Sequence, residues 1–451
     1  MAHDADSENS GAAEESPVLT VFRKEAHDTM LNRINLASAF KLTPQELRIE
    51  IENFVFDFAQ ERRAQITKKE QILVARGLVD DMIGLGPLEP LLEDEEISDI
   101  VVNGPYQIYY EKKGLMRLAQ AKFRDESHLL QIAQRIAHRV GRRVDTSSPL
   151  CDARLPDGSR VNIVAPPIAL DGASISIRKF SKKAITLAGL AAHGSLTEEM
   201  VRVLQIASTC GLNIIVSGGT GSGKTTLLNA LSQLIDPRER IVTCEDAAEL
   251  KLQQPHVVRL ESRPPNIEGK GEITIRDLVK NALRMRPDRI VIGEVRGTEC
   301  IDMLQAMNTG HDGSMSTIHA NKAKEAFIRL ENMVAMSGFG LPSEIVRAQI
   351  AGAVNLVVQT ERLHDGSRKI TEIVEVTGLS ERGDIEYQHL FKFVPLGEDA
   401  DHRVFGKFEA GTEKPAFLEK AITYGLDKEL LEIMKKLMVE QGKVDEDEYY
   451  F

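Results

Sequence analysis

The stretch Asn213-Ile-Ile-Val-Ser-Gly-Gly-Thr-Gly-Ser-Gly-Lys-Thr-Thr226 carries the clearest chemistry in this chain. From Gly218 to Thr225 it fits the P-loop pattern G-x-x-x-x-G-K-[ST]. Gly218, Gly219, Gly221 and Gly223 leave out the β-carbons that would keep backbone amides from closing round phosphate oxygens, with Thr220 and Ser222 between them. A helix opening after the loop adds the positive end of its dipole. Lys224 would reach the β- and γ-phosphates, and the Thr225 hydroxyl, with Thr226 beside it, would help hold Mg²⁺. A glycine-rich turn can match this pattern by chance. Here Ile214 to Val216 read as a strand buried on both faces, and Thr225 to Leu234 as a helix, which is the context the motif needs. The stretch is a nucleotide site.

Such a loop also needs a carboxylate that activates water and something that holds the metal. Two acidic clusters follow it. Cys244-Glu245-Asp246-Ala-Ala-Glu249 closes a strand over Arg240 to Thr243, and Arg286-Pro-Asp-Arg-Ile-Val-Ile-Gly-Glu-Val-Arg296 holds an apolar strand that ends in Gly293-Glu294. Gly293 stands where a metal-binding Asp is expected, so this is an atypical Walker B, and Glu294 is placed to polarise the attacking water. Acids at strand ends are ordinarily solvated loop residues. Their position downstream of a P-loop favours chemistry for Glu249 and Glu294, with less support for Glu245 and for Asp246 as a metal ligand. Next, Thr309-Gly-His-Asp-Gly-Ser-Met-Ser-Thr-Ile-His-Ala-Asn321 places His311 and His319 eight residues apart, with no Cys or third His close by. That is a poor metal site. Donation to a γ-phosphate suits the pair better, although taken alone they would read as ordinary loop histidines.

The elements that must position these groups are an alternation of strands and helices, as an α/β sheet requires. Strands are expected at Asn213 to Ser217, Arg240 to Glu245, Val257 to Glu261, Arg289 to Gly293 and Ser314 to Ile318. Short strands at Asn355 to Thr360 and Lys369 to Val376 follow, then a helical tail over Pro415 to Glu440. Upstream, Thr43-Pro-Gln-Glu46 and Thr67-Lys-Lys-Glu70 are capping boxes that open amphipathic helices, and a third helix begins near Phe22 with Met30, Leu31 and Ile34 at helical spacing. Between bundle and sheet lie β-rich segments at Ile97 to Val102, Gln107 to Glu111 and Ser174 to Phe180, and a helix over His128 to Gly141. The expected organisation is an acidic disordered tail (1–20), a three-helix bundle (21–84), an α+β domain (85–183), a linker (184–194) and the nucleotide domain (195–451).

At 451 residues the chain has room for two to four domains. The net charge of −12 argues against nucleic acid as a partner. No apolar run approaches the ~20 residues that span a bilayer, and Met1-Ala-His-Asp-Ala-Asp lacks the features of a signal peptide. The four cysteines are widely separated, as small buried residues in a reducing compartment would be. A cytoplasmic protein is expected.

Together the P-loop, the acidic box at Glu245 to Glu249, the strand ending in Gly293-Glu294 and the histidine stretch from Thr309 to His319 resemble, in order, the motifs of the secretion ATPase superfamily. Its members are the motors of type IV pili, type II and type IV secretion and archaeal flagella. The upstream segments Gly86-Pro-Leu-Glu-Pro-Leu-Leu92, Ile100-Val-Val-Asn-Gly104 and Asp152-Ala-Arg-Leu-Pro-Asp-Gly-Ser-Arg160 look like its CpaF branch, which serves Tad (type IVc) pili. The absence of a tetracysteine zinc motif also favours that branch. The resemblance implies a RecA-like P-loop ATPase domain preceded by a small α+β domain, ATP and Mg²⁺ as cofactors, and a homohexameric ring with nucleotide bound between the two domains. It implies a polytopic inner-membrane platform protein as partner, hence peripheral association with the cytoplasmic face of that membrane. It further implies Glu294 as general base, Glu249 as its assistant, and Arg154, Arg160 and Arg178 as arginine fingers. A type IV secretion traffic ATPase is the nearest rival reading. A nucleic-acid translocase and a non-hydrolysing scaffold are more distant ones.

Overall fold

The structure, a computed structural model, describes residues 17–33, 43–112, 114–180, 185–263, 265 and 269–443. The acidic tail therefore lies outside the described residues, except that Pro17 to Thr20 already belong to the first helix, and Ile34 lies outside them too. The chain divides into two compact units, Met1–Lys182 and Lys183–Phe451.

In the first unit, helices α1 (Pro17–Arg33), α2 (Pro44–Glu61) and α3 (Lys68–Ile83) pack around Phe22, Met30, Ile51, Val55, Phe58, Val74 and Leu78. Both capping boxes form: Thr43 with Glu46 opens α2, and Thr67 with Glu70 opens α3. Each satisfies amide donors that the first helical turn leaves unpaired. A six-stranded antiparallel sheet follows, in the order β3-β2-β1-β6-β5-β4. Its strands are β1 (Ile97–Asn103), β2 (Ile108–Lys112), β3 (Leu115–Leu118), β4 (Leu150–Arg154), β5 (Arg160–Val164) and β6 (Ser174–Arg178). Helix α4 (Glu126–Arg139), capped by the Asp125 carboxylate on the His128 amide at 2.8 Å, shares the core beneath one sheet face. Two of its arginines hold the end of α3: Arg135 Nη1 donates to the carbonyls of Asp81 and Gly84 at 2.9 and 2.6 Å, and Arg139 Nη2 to that of Ile83 at 2.6 Å. Cations at a helix C-terminus satisfy its unpaired carbonyls and its dipole, so bundle and sheet are joined at this corner.

Near the same corner, burial reinforced by the Glu89 carboxylate pushes the Asp80 carboxyl up from 3.8 to about 6. A raised carboxyl binds its proton more tightly folded than unfolded. This unit should therefore lose stability as pH rises from about 4 through about 6, with the full penalty present above that window. Asp80→Asn should raise the melting temperature at pH 8 and flatten its dependence across that window. An unchanged profile would remove Asp80 as the cause.

The second unit is built on a nine-stranded sheet in the order β15-β14-β13-β12-β7-β11-β10-β8-β9. The pairs from β12 (Leu356–Arg362) through β7 (Ile214–Gly218), β11 (Met315–His319), β10 (Arg289–Val295), β8 (Ile241–Glu245) and β9 (Val257–Glu261) are parallel. Strands β13 (Arg368–Leu379), β14 (Ile385–Glu398) and β15 (Val404–Ala410) extend it antiparallel. On one face pack α5 (Leu187–Ala192), α6 (Glu198–Thr209), α7 (Lys224–Ser232), α12 (Leu418–Thr423) and α13 (Asp427–Glu440). On the other pack α8 (Ile275–Ala282), α9 (Glu299–Asn308), α10 (Ala323–Met336) and α11 (Ser343–Ala353). Every residue of β7 is buried, because it runs between two parallel neighbours and under helices on both faces.

Three expectations change. The expected linker carries α5, whose Leu187 is buried in the core of this unit. The single helical tail is two helices, parted at Gly425, which takes a left-handed φ of 68°. Beyond the strands expected after Asn355 come β14 and β15 as well. All four cysteines are buried, and burial pushes the Cys244 thiol up to about 12. Among the described residues, no helix is long and apolar enough to cross a membrane.

Candidate nucleotide site

The loop after β7 is shaped by its glycines. Gly221 and Gly223 have φ of 70° and 99°, in the left-handed region that favours glycine. Gly218 is required by space instead: a β-carbon there would stand 2.4 Å from Ser222 Oγ and 2.5 Å from the Thr360 carbonyl oxygen. Ser222 Oγ donates to the Gly219 carbonyl at 2.9 Å, and Thr360 Oγ1, from β12, donates to the Ser222 carbonyl at 2.8 Å. Lys224 opens α7 and turns back over the loop, its Nζ donating to the carbonyls of Gly218 and Gly219 at 3.0 and 2.9 Å. Thr225 and Thr226 stand in the first turn of α7, Thr220 is exposed at the loop tip, and Gly219 is half-buried. The loop thus presents a cation and a helix N-terminus at one point.

Carboxylates gather on the neighbouring strand ends. Glu245 ends β8 at 2 % exposure. Its Oε2 accepts the backbone amides of Glu249 and Leu250 at 2.7 and 2.9 Å, whereas its Oε1 is buried without a hydrogen-bond partner. Burial raises its pKa despite those two donors, which makes it a stronger proton acceptor than an exposed carboxylate. The glycine at 293 has its reason here: a β-carbon would stand 3.0 Å from Glu245 Cγ. The carboxylate missing from β10 is matched by one that reaches across from β8.

Glu294 lies within β10, where the pairing with β11 slips: Ile292 faces Ser316 but Val295 faces Ile318. Three steps along one strand against two on the other make a bulge, a device that re-aims a side chain. Arg296 Nη2 donates to Glu294 Oε2 at 2.6 Å, and Arg296 Nη1 lies 3.9 Å from Asp246 Oδ2. Arg296 links the two acidic clusters, and its bond to Glu294, with Asp246 and Glu249 nearby, raises its own pKa. Sequence reasoning gave Arg296 no role and gave Glu245 less support than Glu249 or Glu294. The i, i+2 spacing from Glu294 to Arg296 was the available signal for the first, whereas the burial of Glu245 leaves no local trace.

The histidines separate. His319 ends β11 directly opposite Gly218 of β7, beside the loop. His311 lies before β11, at the other edge of the sheet, with Nδ1 3.2 Å from the Ala306 carbonyl oxygen. Its expected place at the nucleotide is corrected, because the strand between the two histidines carries them to opposite ends. In the first unit Arg154 faces Arg160 across β4–β5, and Arg160 faces Arg178 across β5–β6. Directly opposed residues of antiparallel strands share a face, so the three guanidinium groups form one row, ending at Asp99 on β1. A row of like charges is a natural contact for an anion.

A parallel sheet with a phosphate loop on its central strand and carboxylates on the adjoining strand ends defines a RecA-like P-loop fold. Residues 81–383 match the family model described as type II/IV secretion system protein. The chain belongs to that family, the secretion ATPases. It is 41 % identical over 304 residues to a putative conjugal transfer protein of Mycobacterium tuberculosis, covering 66 % of this chain and 86 % of that one. It is 37 % identical over 304 residues to the type IV secretion system protein PtlH homolog of Bordetella bronchiseptica, covering 62 % and 89 %. With the VirB11 ATPase of the Brucella suis type IV secretion system, solved in complex with sulphate, it shares 33 % identity over 64 % of this chain and 94 % of that one, at a TM-score of 0.35. So loose a superposition carries no weight, and the family rests on the sequence matches.

Proposed function

We propose that this chain is a Mg²⁺-dependent ATP hydrolase that works as a homohexameric motor and powers assembly of a Tad (type IVc) pilus from the cytoplasmic face of the inner membrane, through a polytopic platform protein. One observation supports the hydrolase reading above all. Lys224, Glu245, Glu294 and His319 come from or beside four adjoining strands at one edge of one parallel sheet. Lys224 offsets the charge of the β- and γ-phosphates. Glu294, on its bulge, takes a proton from the attacking water, with Glu249 assisting, and His319 donates to the γ-phosphate. Arg154, Arg160 and Arg178 offer positive charge to an anion. The oxygens available, the Thr225 hydroxyl and the buried carboxylate of Glu245 with Asp246 beside it, are hard donors that suit Mg²⁺. When bound, that ion would offset negative charge developing on the phosphates.

The curated relatives bear conjugal-transfer and type IV secretion names, which favours a second reading, a type IV secretion traffic ATPase. The pilus reading draws on the CpaF-like segments quoted above and on the helical bundle, nearly all of which precedes residue 81, where the family match begins. Replacing the chromosomal copy with the Lys224→Ala form decides between them. Cells stripped of surface fibres, by electron microscopy, are the expected result. Normal fibres with loss of protein or DNA transfer would establish the second reading instead.

A further inference from the structure

Among the described residues, two basic side chains besides the motif's Lys224 lie against the phosphate loop. They are Arg362, the last residue of β12, and Arg368, the first of β13, which face each other across the antiparallel pair. Arg368 Nε donates to the Gly221 carbonyl at 3.0 Å. A β-carbon on Gly221 would stand 3.7 Å from Arg362 Nη1, and one on Gly223 would stand 3.4 Å from Arg368 Cδ. Both guanidinium-bearing chains thus lie against the two glycines whose left-handed φ shapes the loop. Their backbone is fixed relative to it, because β12 pairs with β7, setting Thr360 opposite Gly218, and Thr360 Oγ1 holds the Ser222 carbonyl.

Like charges directly opposed on antiparallel strands repel, and an anion held beside both offsets that repulsion. A guanidinium offers five donors in a planar fork that matches phosphate oxygens, and the bond to Gly221 uses one of them. We propose that Arg362 and Arg368 are phosphate ligands in cis, a second cationic contact to the polyphosphate chain of the nucleotide alongside Lys224. The inference rests on the ATP reading above and extends it. It also couples the presence of phosphate to the antiparallel half of the sheet, since both arginines belong to the hairpin that begins it.

The test uses the full chain with Mg²⁺ and N-methylanthraniloyl-ATP and -ADP, and AMP as competitor. An Arg362→Gln/Arg368→Gln double variant should weaken ATP binding about tenfold or more. It should weaken ADP binding less, leave AMP competition unchanged and keep the melting temperature. Equal losses for all three nucleotides would mean that the arginines only brace the loop, and no loss would mean that they do not reach phosphate. Either overturns the proposal. If the double variant fails to fold, Arg362→Gln alone carries the same comparison. Failure of the unaltered chain to bind ATP would remove the ATP reading and this inference together. Wild-type binding abolished by Lys224→Ala but untouched by the double variant would remove the inference alone.

Discussion

Glu294→Gln should bind ATP within about twofold of the unaltered chain and turn it over at least ~10²-fold more slowly, since positioned acid–base groups contribute about 10² to 10⁴ in rate. The amide keeps the shape of the side chain and can still meet Arg296, which now bonds Glu294 Oε2 at 2.6 Å. What it loses is the capacity to take a proton. Equilibrium binding and single-turnover hydrolysis, measured side by side, separate the two effects. Turnover near wild type would move the base elsewhere, and the buried Glu245, with one oxygen unpartnered, would become the leading candidate.

The second large effect is expected at Lys224. Its ammonium holds the carbonyls of Gly218 and Gly219 and is the charge the loop offers to the β- and γ-phosphates. Lys224→Ala should lower ATP affinity about 10- to 100-fold, the worth of one or two hydrogen bonds from a charged donor, and leave hydrolysis undetectable. A thermal melt within a few degrees of wild type would show that the loop, braced also by Ser222 and Thr360, survives the change. Unaltered affinity would contradict the phosphate assignment of the loop.

Much of this was legible in the chain because the decisive signals are local. A buried parallel strand is a short apolar run, and a P-loop announces its glycines, so β7, β8, β10 and β11 fall within a residue or two of where the sequence puts them. The capping boxes at Thr43 and Thr67 likewise state where helices begin. What escaped depends on distance or burial. His311 and His319 look equivalent eight residues apart until a five-residue strand carries them to opposite edges. Glu245 looks like any strand-end acid until Gly293 makes room for it. Arg362 and Arg368 flank an ordinary polar turn, and only pairing with β7 brings that turn to the loop. Strands β14 and β15 escaped for another reason. The buried Leu390, Phe391 and Phe393 of β14 are set among polar residues and followed by Pro395 and Gly397, and β15 alternates apolar with polar residues, so neither shows the unbroken apolar run that marks a central strand.

The central claim is that the loop at Gly218 to Thr225 hydrolyses ATP. Phosphate release from ATP by the purified full chain, with Mg²⁺ and with EDTA, tests it most directly. Steady release that requires Mg²⁺ and is absent from Lys224→Ala is the predicted result. Release that Lys224→Ala leaves intact, or none from a folded chain that binds ATP, would contradict it.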